Sequence, residues 1–490
     1  MSSAEQTLQH TPRPWKLLVF FSAVIATATS IIFLISLSLS TDLSYKPFNH
    51  LVQRNTINPV HTSTVGEEEP TNISHIFFGI GSSVKTWPKR RPFVELWWKP
   101  NVTRGSLWFD EKPPENESWP ETSPPFRVSG NTSSFKYTCW YGNRFAIRLA
   151  RIVKETFELG LDNVRWLVMG DDDTVFFTDN LVTVLSKYDH NQMYYVGGNS
   201  ESVEQDVIFS YKVAYGGGGF AVSYPLAAEL ARILDGCINR YAQLYGGDQK
   251  VQACIGEIGV QITKELGFHQ VDISGNPFGL LAAHPVAPLV SLHHLDTVGP
   301  LFPSLTRFES IKKLVGVYKM DPGRILEHSF CYDIQRNWSV SVSWGYNVQL
   351  YLSLVTAKEL ETAIGTFQTW QSLSDGPFVF NTRPVSSDPC GRPVLYFLDR
   401  VGNVGAGQTR STYTRYVDAL GKECGSVDLV GVLDVQLVNV SAPYLTPDVW
   451  KKVTEFSSSQ LHIRKLSTTR IGSTDIYLFS LNQGLMFEIL

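Results

Sequence analysis

Residues 165–177 read Arg-Trp-Leu-Val-Met-Gly-Asp-Asp-Asp-Thr-Val-Phe-Phe. An apolar, strand-forming run, residues 164–169, stops at Gly170 and is followed at once by Asp171, Asp172 and Asp173. In an open α/β sheet, ligands bind beyond the carboxyl ends of the strands, so a strand that ends this way delivers its acidic residues to a site. Adjacent carboxylates repel one another and are costly to bury unless a cation neutralises them. Hard oxygen ligands favour Mg²⁺, Mn²⁺ or Ca²⁺ over a thiophilic metal. Such an ion would bridge a diphosphate and stabilise the charge on a leaving phosphate. The plain alternative is a solvated acidic turn, or an Asp that caps the next helix. The Trp-Leu-Val-Met strand before the triplet and the Thr-Val-Phe-Phe after it distinguish this stretch from a bare Asp-x-Asp.

Outward from that strand the pattern alternates. Residues 75–81 (HIFFGIG) form an apolar first strand, and 106–110 a second short one. The proline-rich stretch 112–125 reads as a surface loop. Residues 143–159 place Phe145, Leu149, Ile152, Val153 and Phe157 at helical spacing, with Gly160 just past the end. Further strands fall at 194–196 and 220–223, and helices at 225–234 and 249–266. The second of these helices carries Val251, Cys254, Ile255, Ile258 and Ile262 on one stripe. Strands alternating with helices predict an open, largely parallel α/β sheet over residues 75–303. Beyond residue 305 the texture changes. Residues 338–352 and parts of 476–490 alternate at period two, and 384–393 and 402–407 read as turns. This second, β-rich region carries no chemical signature.

Three more motifs follow the acidic triplet. Ala214-Tyr-Gly-Gly-Gly-Gly-Phe-Ala-Val-Ser223 allows close backbone approach to a ligand, but it is neither a Walker loop nor Gly-x-Gly-x-x-Gly. Tyr245-Gly-Gly-Asp248 stands directly before a helix, so Asp248 is either a cap or a general base that removes a proton from an acceptor hydroxyl. Phe278-Gly-Leu-Leu-Ala-Ala-His284-Pro and Leu292-His293-His294-Leu-Asp296 supply imidazoles, and either place would complete a metal site with the acidic cluster.

The chain has 490 residues, with 42 Lys+Arg against 46 Asp+Glu and a formal net charge of −4. Its 12 Trp, 20 Tyr and 28 Phe argue against wholesale disorder, and the missing basic blocks argue against nucleic-acid binding. Residues 17–39 carry no charge, enough to cross the ~30 Å hydrocarbon core, and Arg13 and Lys16 before them orient the N-terminus to the cytosol. A cleaved signal peptide has a shorter apolar core, about 7–15 residues. An uncleaved signal anchor is therefore expected, with a polar stem after it. Asn-x-Ser/Thr acceptors at Asn72, Asn101, Asn116, Asn131, Asn337 and Asn439 agree with a luminal body. The six cysteines allow up to three disulfides and form no zinc pattern.

In this order and spacing, RWLVMGDDDTVFF, YGGGGFAVS, GGDQ at a helix start and FGLLAAHP resemble the Fringe/β1,3-glycosyltransferase family, and more closely its Fringe-related plant-type branch. The resemblance implies a GT-A-type nucleotide-sugar-binding open sheet and an Mn²⁺-dependent, inverting hexosyltransferase. It further implies a UDP-sugar donor, a glycan, glycoprotein or small-molecule acceptor, a β1,3 linkage, and a type II Golgi membrane protein. Carried over by motif, Asp173 would be the direct metal ligand, with Asp171 and Asp172 contacting metal, ribose or nearby backbone, and His284 would be the second metal ligand. Gly217 and Gly218 would line the donor cleft, and Asp248 would be the catalytic base. Two positions depart from the family pattern: Gly-Asp-Gln stands where an acidic pair is common, and a glycine replaces an alanine in the glycine run.

The expected organisation is a cytosolic tail (1–16), a transmembrane anchor (17–39), a luminal stem (40–71), a GT-A-like domain (72–304) and a β-rich region of unknown role (305–490). The competing classes are an inactive carbohydrate-binding or scaffold protein on the same fold and a metal-dependent phosphohydrolase, which would need a denser ligand set.

Overall fold

The structure is a computed structural model. It describes residues 69–114, 118–370, 381–417, 435–448 and 450, together with the strands Thr469–Arg470, Ile476–Ser480 and Leu485–Ile489. The expected tail, anchor and stem up to residue 68 lie outside the described residues, as does Asn116. Among the described residues, no helix is long and apolar enough to cross a membrane.

In chain order, the first half contains β1 (Ile76–Gly81), α1 (Trp87–Glu95), β2 (Arg104–Phe109), β3 (Phe126–Val128), α2 (Phe145–Phe157), β4 (Trp166–Asp171), β5 (Val175–Phe176) and α3 (Thr178–Leu185). There follow β6 (Tyr195–Gly197), α4 (Val203–Phe209), β7 (Phe220–Ser223), α5 (Tyr224–Arg240), α6 (Gly247–Ile258), β8 (Ile262–Lys264), β9 (Phe268–His269), β10 (Ile273–Gly275), α7 (Phe278–Leu281) and β11 (Ser291–Leu292). The central sheet runs β3-β2-β1-β4-β7-β6-β8. All its neighbours are parallel except at β7, which is antiparallel to both β4 and β6. The predicted open sheet is thus mixed α/β, with one reversed strand at its centre.

The period-two geometry of a strand explains why β1 and β4 read as unbroken apolar runs. Trp166 and Val168 face one core while Leu167 and Met169 face another, and Ile76, Phe78 and Ile80 are separated from Phe77 in the same way. The second core lies under α2, α5 and α6, and a disulfide between Cys237 and Cys254 ties α5 to α6. Cys390 is also disulfide-bonded, whereas Cys139 and Cys331 are buried free thiols. The helix expected over 249–266 ends early: Gly259 adopts φ +91°, a left-handed cap that side chains disfavour, and Ile262 belongs to β8 instead.

After α8 (Arg307–Tyr318), the strands β12 (His328–Asp333), β13 (Trp338–Ser343), β14 (Asn347–Tyr351), β15 (Phe367–Thr369), β16 (Val394–Gly405), β17 (Gln408–Tyr416), β18 (Leu437–Pro443), β19 (Thr469–Arg470), β20 (Ile476–Ser480) and β21 (Leu485–Ile489) confirm the β-rich texture. All but β15 form one antiparallel sheet. Positive φ at Gly405, Ala406 and Gly407 makes the hairpin turn foreseen at 402–407. The serines of β13 do not mark a solvent face, because all six of its residues are buried. Ser339 Oγ donates to Ser353 O at 2.8 Å, Ser343 Oγ donates to Leu281 O at 3.1 Å, and Ser341 Oγ pairs with His328 Nε2 at 2.7 Å. Packing also runs through the expected boundary at 304/305. Phe278 and Leu292 share a hydrophobic core with Val340, Trp344 and Tyr346, and β15 pairs antiparallel with β10.

Candidate active site and metal centre

The chain proceeds from β1 to β2 and β3 on one side, then returns to place β4 on β1's other flank. That reversal is a topological switch point, where open α/β sheets form their binding crevice. Gly81 of β1 pairs with Asp171 of β4, so the two strand ends stop level and deliver Ser82 and the acidic triplet to one place.

The three aspartates have different surroundings. Asp172 turns inward and is saturated: Oδ2 accepts from Ser82 Oγ and Thr86 Oγ1, both at 2.8 Å, and Oδ1 pairs with Arg90 at 3.0 Å. It anchors α1 and does not reach the cleft, so the donor contact expected of it is not where the structure places it. Asp173 is wholly buried, with Arg90 Nη2 at 2.9 Å from Oδ2 and His293 Nε2 at 3.2 Å from Oδ1. Among the described residues, neither of its oxygens has hydrogen-bonding geometry to a partner. Burial alone would raise this carboxyl, but the neighbouring His293 and Arg90 overcome that and hold it well below the usual range. Asp171 keeps about a third of its side chain exposed, and burial together with the two adjacent carboxylates pushes it up to about 7.

His293 follows β11. Its Nδ1 lies 3.1 Å from the carbonyl oxygen of Gln270, which can only accept, so Nδ1 carries a proton and Nε2 is aimed at Asp173 and Asp171. Burial opposes charge on this ring, but the two carboxylates push its pKa up to about 9. Asp171, Asp173 and His293 each offer a ligand atom, and these atoms all lie within 4.8 Å of one another. Two carboxylates, an imidazole and a buried carboxylate without hydrogen-bonding geometry fit a hard or borderline divalent cation.

The expected second ligand, His284, is not brought to this group. FGLLAAHP folds as α7 beneath the C-terminal sheet, and His284 is buried with its ring 4.9 Å from that of His269. Burial lowers its basicity well below that of a free imidazole, and His293 takes its expected place. Of the two locations the sequence left open, packing selects the later one.

The glycine run joins the metal candidates to Asp248. Gly216 N donates to Asp248 Oδ2 at 3.1 Å, and Gln249 N donates to Oδ1 at 2.8 Å. Burial raises the Asp248 carboxyl, and Asp272 adds to the shift. A Cβ on Gly217 would fall 2.1 Å from His293 Cε1, so only glycine admits that ring. Gly218 N donates to Gln270 Oε1 at 2.5 Å and lies behind the cleft wall. Consecutive Cα atoms are about 3.8 Å apart, so this loop holds Asp248 and His293 at a fixed spacing. Thr174 fastens the loop to the acidic turn: its hydroxyl accepts from Asp171 N at 2.9 Å and donates to Gly217 O at 2.7 Å.

Asp171, Gly216, Gly217, Asp248, Asp272 and His293 line one cleft of about 270 Å³. Trp370, directly after β15, also lines it, so the C-terminal region supplies part of the wall. His294, with φ +54°, is sandwiched between His293 (3.8 Å) and Trp370 (4.5 Å) and pairs with Asp272 at 3.4 Å. Sequence reasoning missed Arg90, Thr174 and Trp370. Only the basic run Lys89-Arg90-Arg91, opposite in charge to the triplet, hinted at one of them.

A family model described as Fringe-like matches residues 71–273, and one described as Protein of unknown function, DUF604, matches residues 205–458. No curated protein matches. Among solved structures, the catalytic domain of Drosophila β1,4-galactosyltransferase 7 in complex with xylobiose matches at 13% identity and a TM-score of 0.21. That match covers 39% of this chain and 64% of the other, too shallow to carry an argument about mechanism. The second model spans just over half the chain and overlaps the first across the glycine run, Asp248 and His269. The chain belongs to the DUF604 family and is Fringe-like over residues 71–273.

Proposed function

We propose that this protein is a metal-dependent, inverting glycosyltransferase that moves a hexose from a UDP-sugar to an acceptor hydroxyl. The observation that carries the reading is one cleft lined by Asp171 and His293, with the buried Asp173 grouped behind them, and by the carboxylate Asp248 at the head of α6, within a Fringe-like chain. A single displacement at the anomeric carbon needs one base and a stabilised leaving group, and Asp248 and the metal candidates supply both.

Asp171, Asp173 and His293 would hold the cation, which when bound would supply electrostatic stabilisation to the departing diphosphate. Mn²⁺ is the ion proposed. Asp248, fixed by the Gly216 and Gln249 amides and made more basic by burial, accepts the proton of the acceptor hydroxyl. The new bond joins that oxygen to the anomeric carbon as the bond to the diphosphate oxygen breaks on the opposite face. UDP leaves with the electron pair, and the proton remains on Asp248. A glycan or glycoprotein acceptor, a β1,3 linkage and a type II Golgi location with the enzyme luminal complete the proposal. The uncharged run 17–39 behind Arg13 and Lys16 supports the location.

Screening UDP-sugars with Mn²⁺ tests the reading. D248N should keep metal-dependent UDP binding yet lose transfer by about 10²–10⁴-fold, whereas D173N should lose both. Full transfer by both variants would refute the site.

A further inference from the structure

A transferase needs a seat for its second substrate, and one rim of the cleft carries aromatic rings that the chemistry above does not use. Phe145, Phe209 and Tyr245 line the cleft beside Asp248, and Tyr245 is three residues before that carboxylate. The Tyr245 ring stacks on Phe209 at 5.2 Å and 24°, and on Tyr141 at 5.6 Å and 10°. Trp140 stands edge-on to Tyr141 at 5.3 Å. The rings thus run outward from the cleft as a ladder. Trp140 is 91% exposed, Tyr141 54% and Phe145 53%.

Rings clustered in water are unfavourable, and a contiguous apolar patch at the mouth of a cleft marks a ligand surface. This patch is also held still. Tyr245 N and Gly246 N donate to Gln249 Oε1 at 3.0 and 3.1 Å, and Tyr137 Oη donates to Tyr245 O at 2.9 Å. The Lys250 ammonium lies over the Tyr137 ring. Tyr245, the base of the ladder, is therefore already in place when a ligand binds.

The ladder presents π faces without formal charge. Arg144, next to it in sequence, directs its guanidinium to the carbonyl oxygens of Thr132, Ser133 and Phe135. An anionic nucleotide is better served at the metal candidates, so the ladder suits a neutral partner with a flat apolar face and polar edges. A pyranose ring has that character: C–H groups on one face and hydroxyls around the rim.

We infer that the exposed rings of Trp140 and Tyr141, backed by Tyr245, form the acceptor subsite, binding a neutral oligosaccharide by stacking of its sugar rings and leading its terminal hydroxyl to Asp248. This rests on the transferase reading above, which the experiment tests separately. The full chain in detergent is applied to an array of neutral oligosaccharides of three to six sugars, and metal-dependent UDP binding is measured in parallel. Binding to at least one member is expected. W140A/Y141A should weaken it by about tenfold or more, a loss in keeping with ring stacking. W140F/Y141F, which keeps the rings, should stay close to the unaltered chain.

Melting curves of both variants separate a lost ligand from a lost fold. The subsite is overturned if no member binds, if the folded alanine variant binds as the unaltered chain does, or if simple phenyl glycosides bind through these rings as tightly as the oligosaccharides. Ladder-dependent glycan binding without UDP binding would refute the transferase reading and leave the subsite standing.

Discussion

Replacing Gly217 by alanine tests the geometry of the site through a single methyl group. The new Cβ would meet His293 Cε1 at 2.1 Å, Nδ1 at 2.4 Å and Nε2 at 2.5 Å, all atoms of one rigid, buried ring. To reach an ordinary contact of 3.4 Å the ring must retreat by about 1.3 Å. A displacement of that size strains the 3.1 Å contact to Gln270 O and the 3.2 Å pairing with Asp173. Overpacking of this kind costs about 1–3 kcal/mol, and a weakened partner for a buried carboxylate adds to it. A misplacement near 1 Å at a reacting centre costs about 10²-fold in rate. The adjacent glycine is the control, because a Cβ on Gly216 would lie 3.5 Å from Asp248 Cβ, an ordinary contact. Calorimetric titration with Mn²⁺ and UDP, together with donor turnover, should show G217A weakened by about 10²-fold and G216A nearly unaffected. Equal behaviour of the two variants, or a G217A that binds Mn²⁺ and UDP as the unaltered chain does, would refute the placement of His293 and with it the metal site.

Other perturbations reach different parts of the molecule. R90A strips the guanidinium from Asp172 and Asp173 and should cost about 3 kcal/mol, so Mn²⁺ should raise its melting temperature more than that of the unaltered chain; equal increments would contradict this. Asp206 is 5% exposed, and burial pushes its carboxyl up to about 7. A folded pKa above the unfolded one makes its contribution fully present below pH ~4 and lost as pH rises through ~7, by at most about 4 kcal/mol. D206N should flatten the fall in stability over that window, and denaturant midpoints that decline in parallel for both chains would exclude it. C237A/C254A opens a loop of separation 17, so urea denaturation should show a loss of about 3 kcal/mol with Mn²⁺ affinity retained.

The legibility of the site in the sequence followed the range of the interactions involved. The Asp171–Asp173 turn at the end of β4 was readable because strand and turn are local, set by an apolar run and the residue that ends it. The two imidazole locations looked equivalent, since nothing short-range distinguishes His284 on the α7 connection from His293 beyond β11. The antiparallel pairing of β11 with β5 decides between them, by drawing the later histidine beside the acidic turn. Arg90 and Asp172 lie 82 positions apart, so beyond their opposite charge nothing in either segment marked their pairing. The alternation in β13 marked a strand but could not reveal that its serines are buried, because they find their partners on other elements.

By itself, then, the sequence determined β1, β2, α2, β4, β6, β7, α5 and the start of α6 in the first half, the β-rich texture of the second, the acidic cluster and the carboxylate at the head of α6. These depend on periodicity and on residues a few positions apart. Only the tertiary structure decided which histidine faces the aspartates, which aspartate is already saturated, and that Trp370 from beyond residue 305 closes the cleft. Those outcomes depend on strand order and on packing between distant segments, where burial and charge pairing select among placements that local pattern leaves equal.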